Sequence, residues 1–254
     1  MSAVAPTRAA ASGNAGRWLA FYAAIAGAWL LLAALHLDFT RARLGAGGDF
    51  WRAMCASAPS FGAMAAMWSL MAVGMMAPAA VPMLRAYDGL VGAGAARARG
   101  FWALAAGFLA VWLSFSLAGA AAQLGLGRAG LLAPDGSSTS PTLTSALLLV
   151  AGLYQFTPLK HACLRACRAP ILRFLGDFEP RAVYAFRKGV AEGLLCLGCC
   201  WALMSLAFAL GVMNLAFMGL ATALMIAEKT DLLGRRGSHA LGAALCAAAL
   251  IPLV

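Results

Sequence analysis

Val190-Ala191-Glu192-Gly193-Leu194-Leu195-Cys196-Leu197-Gly198-Cys199-Cys200-Trp201-Ala202-Leu203-Met204-Ser205-Leu206-Ala207-Phe208-Ala209-Leu210-Gly211 is an apolar run with one carboxylate and no Lys or Arg. About twenty such residues in a helix cross the ~30 Å hydrocarbon layer of a bilayer. A helix apolar on all faces has no solvated side, so this stretch reads as a membrane span.

Similar runs lie on both sides of it, at 18–37, 63–84, 101–124, 143–157, 213–227 and 240–254. The 254 residues are 63% hydrophobic and only 11% charged, with a mean hydropathy of +0.84. A soluble domain carries roughly 25% charged residues. The expected fold is therefore all-α, a polytopic transmembrane helical bundle of about seven spans, whose first partner is the lipid bilayer. Residues 1–17, rich in Ala, Ser and Gly, are expected to be a disordered tail, and 18–254 a single transmembrane domain. The run 18–37 is long for a signal-peptide core and lacks a clear small-residue cleavage site, so it reads as a retained helix. Met213 and Asn214 separate the fifth and sixth runs and suggest a tight helical hairpin.

The net charge of +10 does not require nucleic acid. Arg8 and Arg17, then Arg85, Arg97 and Arg99, then the loop from Lys160 to Lys188, then Lys229, Arg235 and Arg236 fall on one side of an alternating topology. Only Arg41, Arg43, Arg52 and Arg128 fall on the other. The positive-inside rule then puts the N-terminus in the cytoplasm and the C-terminus outside. In the longest basic loop, Pro170 and Pro180 bracket an amphipathic stretch that suggests a short interfacial helix. Seven cysteines, several of them inside apolar runs, do not form an extracellular disulfide framework.

Chemistry concentrates at three places. Cys196, Cys199 and Cys200 are spaced i, i+3, i+4 and share one helix face, with Glu192 a turn before and Met204 a turn after. Thiolates and thioethers select copper(I) or zinc over hard cations. One cysteine in a helix is usually a small packed hydrophobe; three on one face beside an intramembrane carboxylate point to metal or redox work. Next, His161, Cys163 and Cys167 lie on the stretch from Thr157 to Pro170, which begins Thr157-Pro158-Leu159-Lys160 and leads into the basic loop. They sit at the end where the Cys196 helix begins, so the two thiol sets could meet; the plainer reading is a basic anchor helix. Third, Met71, Met75 and Met76 lie in a methionine-rich run broken by Pro78 and Pro82. Methionine stripes often only fill space. Pro78, however, frees the carbonyl of Gly74, which needs a partner in lipid, and broken helices tend to face cavities. Glu228-Lys229 reads as an interfacial ion pair, and Asn214 as a cap.

Three blocks together resemble the bacterial predicted metal-binding integral membrane proteins known as domain of unknown function 2182. They are Met67-Trp68-Ser69-Leu70-Met71 with Met75-Met76-Ala77-Pro78 and Pro82-Met83; Thr157-Pro158-Leu159-Lys160 with Cys163, Cys167, Arg168 and Pro170; and Cys196-Leu197-Gly198-Cys199-Cys200-Trp201 with Met213-Asn214 and Glu228-Lys229. The likeness covers about residues 60–230. It implies metal binding, without a named metal or direction, in a bacterial inner membrane.

The resulting expectation is binding, handling or transport of a soft metal, copper(I) first and zinc second, rather than an enzyme. The ligands would be drawn from Cys196, Cys199, Cys200, Cys163, Cys167, His161, Met71, Met75, Met76, Met204 and Glu192. A metallochaperone or a membrane oxidase would be the partner, and nucleic acid would not. The competing readings are a membrane thiol–disulfide oxidoreductase, with Cys196 resolving the Cys199/Cys200 pair, and a non-catalytic assembly subunit.

Overall fold

The computed structural model describes residues 8–44, 60–169 and 179–251. Among these the chain is helical, with no strand beyond a single bridge between Leu132 and Ser138. The helices are α1 (Arg8–Arg43), α2 (Phe61–Met71), α3 (Val81–Gly92), α4 (Arg99–Arg128), α5 (Pro141–Tyr154), α6 (Pro158–Arg168), α7 (Ala182–Ser205), the single turn α8 (Ala207–Leu210), α9 (Leu215–Lys229) and α10 (Gly234–Ala248). Residues 14–41 of α1, the whole of α4, and 182–210 are each long and apolar enough to cross a membrane. Two bent pairs pass the same test as units: the helices from Phe61 to Gly92, with a 41° bend, and α5 with α6, bent by 61°. The chain thus carries three to five segments able to span a bilayer. The expected span 213–227 nearly matches α9, whereas 240–254 overlaps only the later part of α10, which starts at Gly234 and carries Arg235 and Arg236 in its first turn; both helices are 15 residues long. The expected interfacial helix after Pro170 falls outside the described residues.

Sequence explains the breaks. Ser140, Thr157 and Asn214 cap α5, α6 and α9, each side-chain oxygen accepting from the backbone N–H three residues on. Pro141 and Pro158 occupy the first helical position, where a missing N–H costs nothing. Between α2 and α3 the chain widens to a π turn at Ala72–Met76 and tightens to a 3₁₀ turn at Pro78–Ala80. Pro78 leaves the Gly74 carbonyl without its helical donor. The indole N–H of Trp29, on α1, supplies one at 3.0 Å.

Glycines bring α4 and α7 together as the central pair. A Cβ on Gly189 would sit 2.1 Å from the carbonyl oxygen of Leu104, and one on Gly107 would sit 2.1 Å from that of Phe186. Gly193, one turn after Gly189, faces Phe108 and Val111. This small-xxx-small spacing lets two backbones touch without a hydrophobic driving force. The order of contacts, Leu104 with Gly189 and Phe108 with Gly193, makes the two helices parallel. At one end, Arg17 pairs with Asp88 at 2.7 Å and Trp18 donates to the same carboxylate. Elsewhere, a ring nitrogen of His36 lies 2.8 Å from the Met213 carbonyl, in the turn between α8 and α9. Gly211 makes that turn at a φ of 97°, open to glycine but strained for other residues. Leu19, Leu30, Leu153 and Leu194 are more than half exposed on the outside of the bundle.

Candidate metal centre

Because Gly189 and Gly193 hold α7 tight against α4, the next turns of α7 are buried. Cys196, Cys199 and Cys200 are each about 1% exposed. Their shared face arises from the i, i+3, i+4 spacing. The sulfurs of Cys199 and Cys200 lie 3.2 Å apart, and Cys199 donates to the Cys196 carbonyl. Cys196 interacts with both neighbouring thiols, and Cys199 also meets Cys167 of α6. Gly198 makes that approach possible: a Cβ there would lie 2.7 Å from the Cys163 sulfur. Tyr154 fixes the same turn by donating to the Gly198 carbonyl, with its ring edge-on to Trp201.

A cavity of about 10 Å³ lies where these elements meet. Cys196 and Glu192 of α7, Cys167 of α6, Lys229 of α9 and Met83 of α3 line it, with Ala79, Ala80 and Pro82 from the broken segment. A space of this size holds about one atom. The helix break therefore faces a cavity, as the two prolines suggested. The Lys229 ammonium donates to the Cys196 sulfur at 2.8 Å. An ammonium this close can offset negative charge on the sulfur, and the thiolate is the form that binds metal.

A second buried ionic group borders the first. Lys160 is fully buried, and its ammonium lies 2.8 Å from both oxygens of Glu228, with Gln155 accepting as well. Ser238 of α10 donates to the same carboxylate at 2.9 Å. Arg168 binds the Glu228 carbonyl and pairs with Asp231 at 2.6 Å. Glu228 and Lys229 are thus not an interfacial pair with each other. Being consecutive on a helix, they point in different directions, and each takes a buried partner from another helix. Pairing makes burial of such charges tolerable, and it fixes α6, α9 and α10 in register.

Of the residues expected to carry the site, Cys196, Cys199, Cys200, Cys167 and Glu192 come together. Cys163 sits one turn from Cys167, half-buried against Gly198. Met71, Met75, Met76 and Met204 are buried in the common core, but the thioether at the cavity is that of Met83. His161 turns away from the thiols: its Nε2 is 3.3 Å from that of His239. Lys229 and Met83, which also line the cavity, stand in the blocks that carry the family resemblance but not among the expected ligands. Lys229 stood beside an apolar run at the point where a surface anchor is also found, so position alone did not mark it. Met83 follows Pro82, beyond the Met-x-x-x-Met-Met run from which the expected thioether ligands came. Among the described residues, no three His, Cys, Asp or Glu side chains are gathered so as to hold a metal ion.

A family model described as PpoB2, copper chaperone, matches residues 65–251. The chain belongs to this copper chaperone family. No curated protein and no solved structure matches the chain. Membership agrees with the metal-handling class expected from the three sequence blocks, and it names copper where the blocks named no metal. The narrower label of domain of unknown function 2182 is not the one the match carries. Zinc gains no support from the family, nor from a convergent set of three thiols or imidazoles among the described residues. A family concerned with copper draws attention to sulfur, since soft thiolates and thioethers favour Cu(I). Every described cysteine is a free thiol. A thiol–disulfide enzyme needs its attacking sulfur within reach of a partner; three of these are almost wholly buried.

Proposed function

We propose that the protein holds copper(I) inside a membrane bundle and passes it on, with Cys196, Cys167 and Met83 as the core sulfur set and Cys199 and Cys200 next to it. The observation that carries this reading is the atom-sized cavity between α3, α6, α7 and α9, which two thiols and a thioether line. Copper is cargo here, not a resident cofactor. The Lys229 ammonium, 2.8 Å from the Cys196 sulfur, stays beside the bound ion and offsets the negative charge of a bis-thiolate copper(I) complex. Glu192 lines the same cavity. Met71, Met75 and Met76 lead toward the site as weaker thioether ligands, so that an ion moves from weak to strong donors. The acceptor is a metallochaperone or a membrane oxidase.

The membrane arrangement proposed alongside is seven spans in a bacterial inner membrane, with the N-terminus inside. Parallel α4 and α7 support it, because the third and fifth spans of such a bundle run in the same direction. Reporter fusions after residue 58 and at the C-terminus are expected outside, and after residue 176 inside; the reverse pattern overturns this orientation.

The test of copper handling is elemental analysis of protein purified in detergent, anaerobically and reduced, after loading with Cu(I). Wild type is expected to retain near-stoichiometric copper. Cys196→Ser/Cys167→Ser is expected to lose it while keeping the helical circular dichroism of wild type. Equal copper in both, or none in wild type, refutes the site.

A further inference from the structure

A larger cavity, about 440 Å³, opens at the junction of α5, α6 and the start of α10, apart from the thiols. Its size is that of a small-molecule site. Arg165, Arg168, Arg235 and His161 line it, together with Ser238. Arg168 is neutralised by Asp231 and the Glu228 carbonyl. Arg165 and Arg235 are exposed, and among the described residues no carboxylate lines the cavity with them. The first turn of α10 also opens into it, through Gly234 and Arg235, and Leu233 at its start supplies no side-chain cap. Positive charge therefore converges on a hollow that contains no matching anion of its own. That disfavours a cation such as copper, even though the His161–His239 pair stands beside it. A second basic hollow, around Arg187 and Lys188, lacks this character: Glu179 lines it and Lys188 sits over the Tyr184 ring.

The remaining wall is apolar. Phe156, Pro158 and Leu164 complete the cavity. Phe156, in the turn after α5, continues a stripe with Leu149 and Leu153 on the outer face of that helix, all 43–54% exposed. A ligand that fits both walls has an anionic head and an aliphatic tail.

We propose that this cavity binds a phosphate group, with the guanidinium groups of Arg165 and Arg235 as its ligands, and that an anionic phospholipid supplies it, its acyl chain lying along Leu149, Leu153 and Phe156. Two guanidinium forks suit phosphate oxygens. Basic pockets between spans on the cytoplasmic side are where anionic headgroups bind. Bound there, the headgroup joins α6 to α10 directly above the Lys160–Glu228–Ser238 group, so the lipid would brace the helices that carry Cys167 and Lys229. The lipid as source rests on the membrane reading; the phosphate site does not depend on copper.

The test uses the full chain in a neutral detergent and follows its melting midpoint. Phosphatidylglycerol, phosphatidylcholine and inorganic phosphate are added separately to wild type, to Arg165→Gln/Arg235→Gln, and to Arg187→Gln/Lys188→Gln as a charge-matched control. Phosphatidylglycerol at saturation is expected to raise the wild-type and control midpoints by about 5 °C, with little response in Arg165→Gln/Arg235→Gln and little effect of the other two additives. Inorganic phosphate acting as strongly as phosphatidylglycerol, and only where both arginines are present, keeps the phosphate site and overturns the lipid as its source. No stabilisation by either, or stabilisation that survives loss of Arg165 and Arg235, overturns the site.

Discussion

The ammonium of Lys229 reaches the sulfur of Cys196 at 2.8 Å, thirty-three residues back along the chain and inside the bundle. This pair places a positive charge beside the sulfur proposed to bind the ion. Lys229→Gln removes the charge and keeps a donor. A charge-assisted interaction with the copper-bound thiolates contributes about 1.5–3 kcal/mol, so Cu(I) affinity is expected to fall roughly ten- to a hundredfold. Competition with a chromophoric Cu(I) chelator measures it. Lys229→Arg, which keeps the charge, should recover most of the loss. An unchanged affinity in Lys229→Gln would mean that the pair is only structural.

Lys160 and Glu228 bear on stability rather than on metal. Removing one member of a buried ion pair leaves the other uncompensated, at a cost of about 3–5 kcal/mol. Glu228→Gln and Lys160→Met are each expected to lower the unfolding midpoint in detergent strongly. The double variant Lys160→Met/Glu228→Gln should be less damaged than the sum of the two. Strict additivity in that cycle would show that the 2.8 Å contact carries no coupling.

How far the site could be read from sequence follows from the range of each signal. The shared face of Cys196, Cys199 and Cys200 is local helical geometry, so spacing alone disclosed it. Pro78 exposing the Gly74 carbonyl was equally local; that Trp29 would answer it was not, because the donor lies 45 residues away. Glu228 and Lys229 looked like a surface pair because adjacent opposite charges at the end of an apolar run usually are one. Their burial depends on Lys160 and Cys196 arriving from other helices, which no periodicity encodes. The extent of the apolar runs predicted a helical bundle, whereas Pro158 and the Thr157 cap, both visible, turned the fourth run into a sharp bend that hydropathy averages away.

The Trp29 contact can be tested by restoring what Pro78 removes. Trp29→Phe deletes the donor and strands the Gly74 carbonyl, at about 1–3 kcal/mol. Pro78→Ala supplies a backbone N–H four residues after Gly74, where a helix would place it. Adding Pro78→Ala to Trp29→Phe is therefore expected to recover part of the lost stability while straightening the segment that lines the small cavity. Copper retention should then fall even as the melting midpoint rises. If both rise together, the break serves packing alone.

The α4–α7 contact offers the sharpest contrast between positions that look alike in sequence. Gly62 and Gly189 both sit in apolar helices. A methyl group on Gly62 meets nothing within 4 Å, whereas one on Gly189 would lie 2.1 Å from the Leu104 carbonyl oxygen. That oxygen belongs to a helix backbone and cannot yield alone, so Gly189→Ala must push α7 away from α4. Since Cys196 lies two turns further along α7, its distance to Cys167 and Lys229 changes with it. Gly62→Ala is expected to leave the unfolding free energy within about 0.5 kcal/mol of wild type, as surface substitutions usually do. Gly189→Ala is expected to cost about 1–3 kcal/mol as an overpacked contact and to reduce Cu(I) retention at the same time. A Gly189→Ala protein that melts and loads like wild type would show that the two helices are not held at this distance, and that the thiols do not depend on their contact.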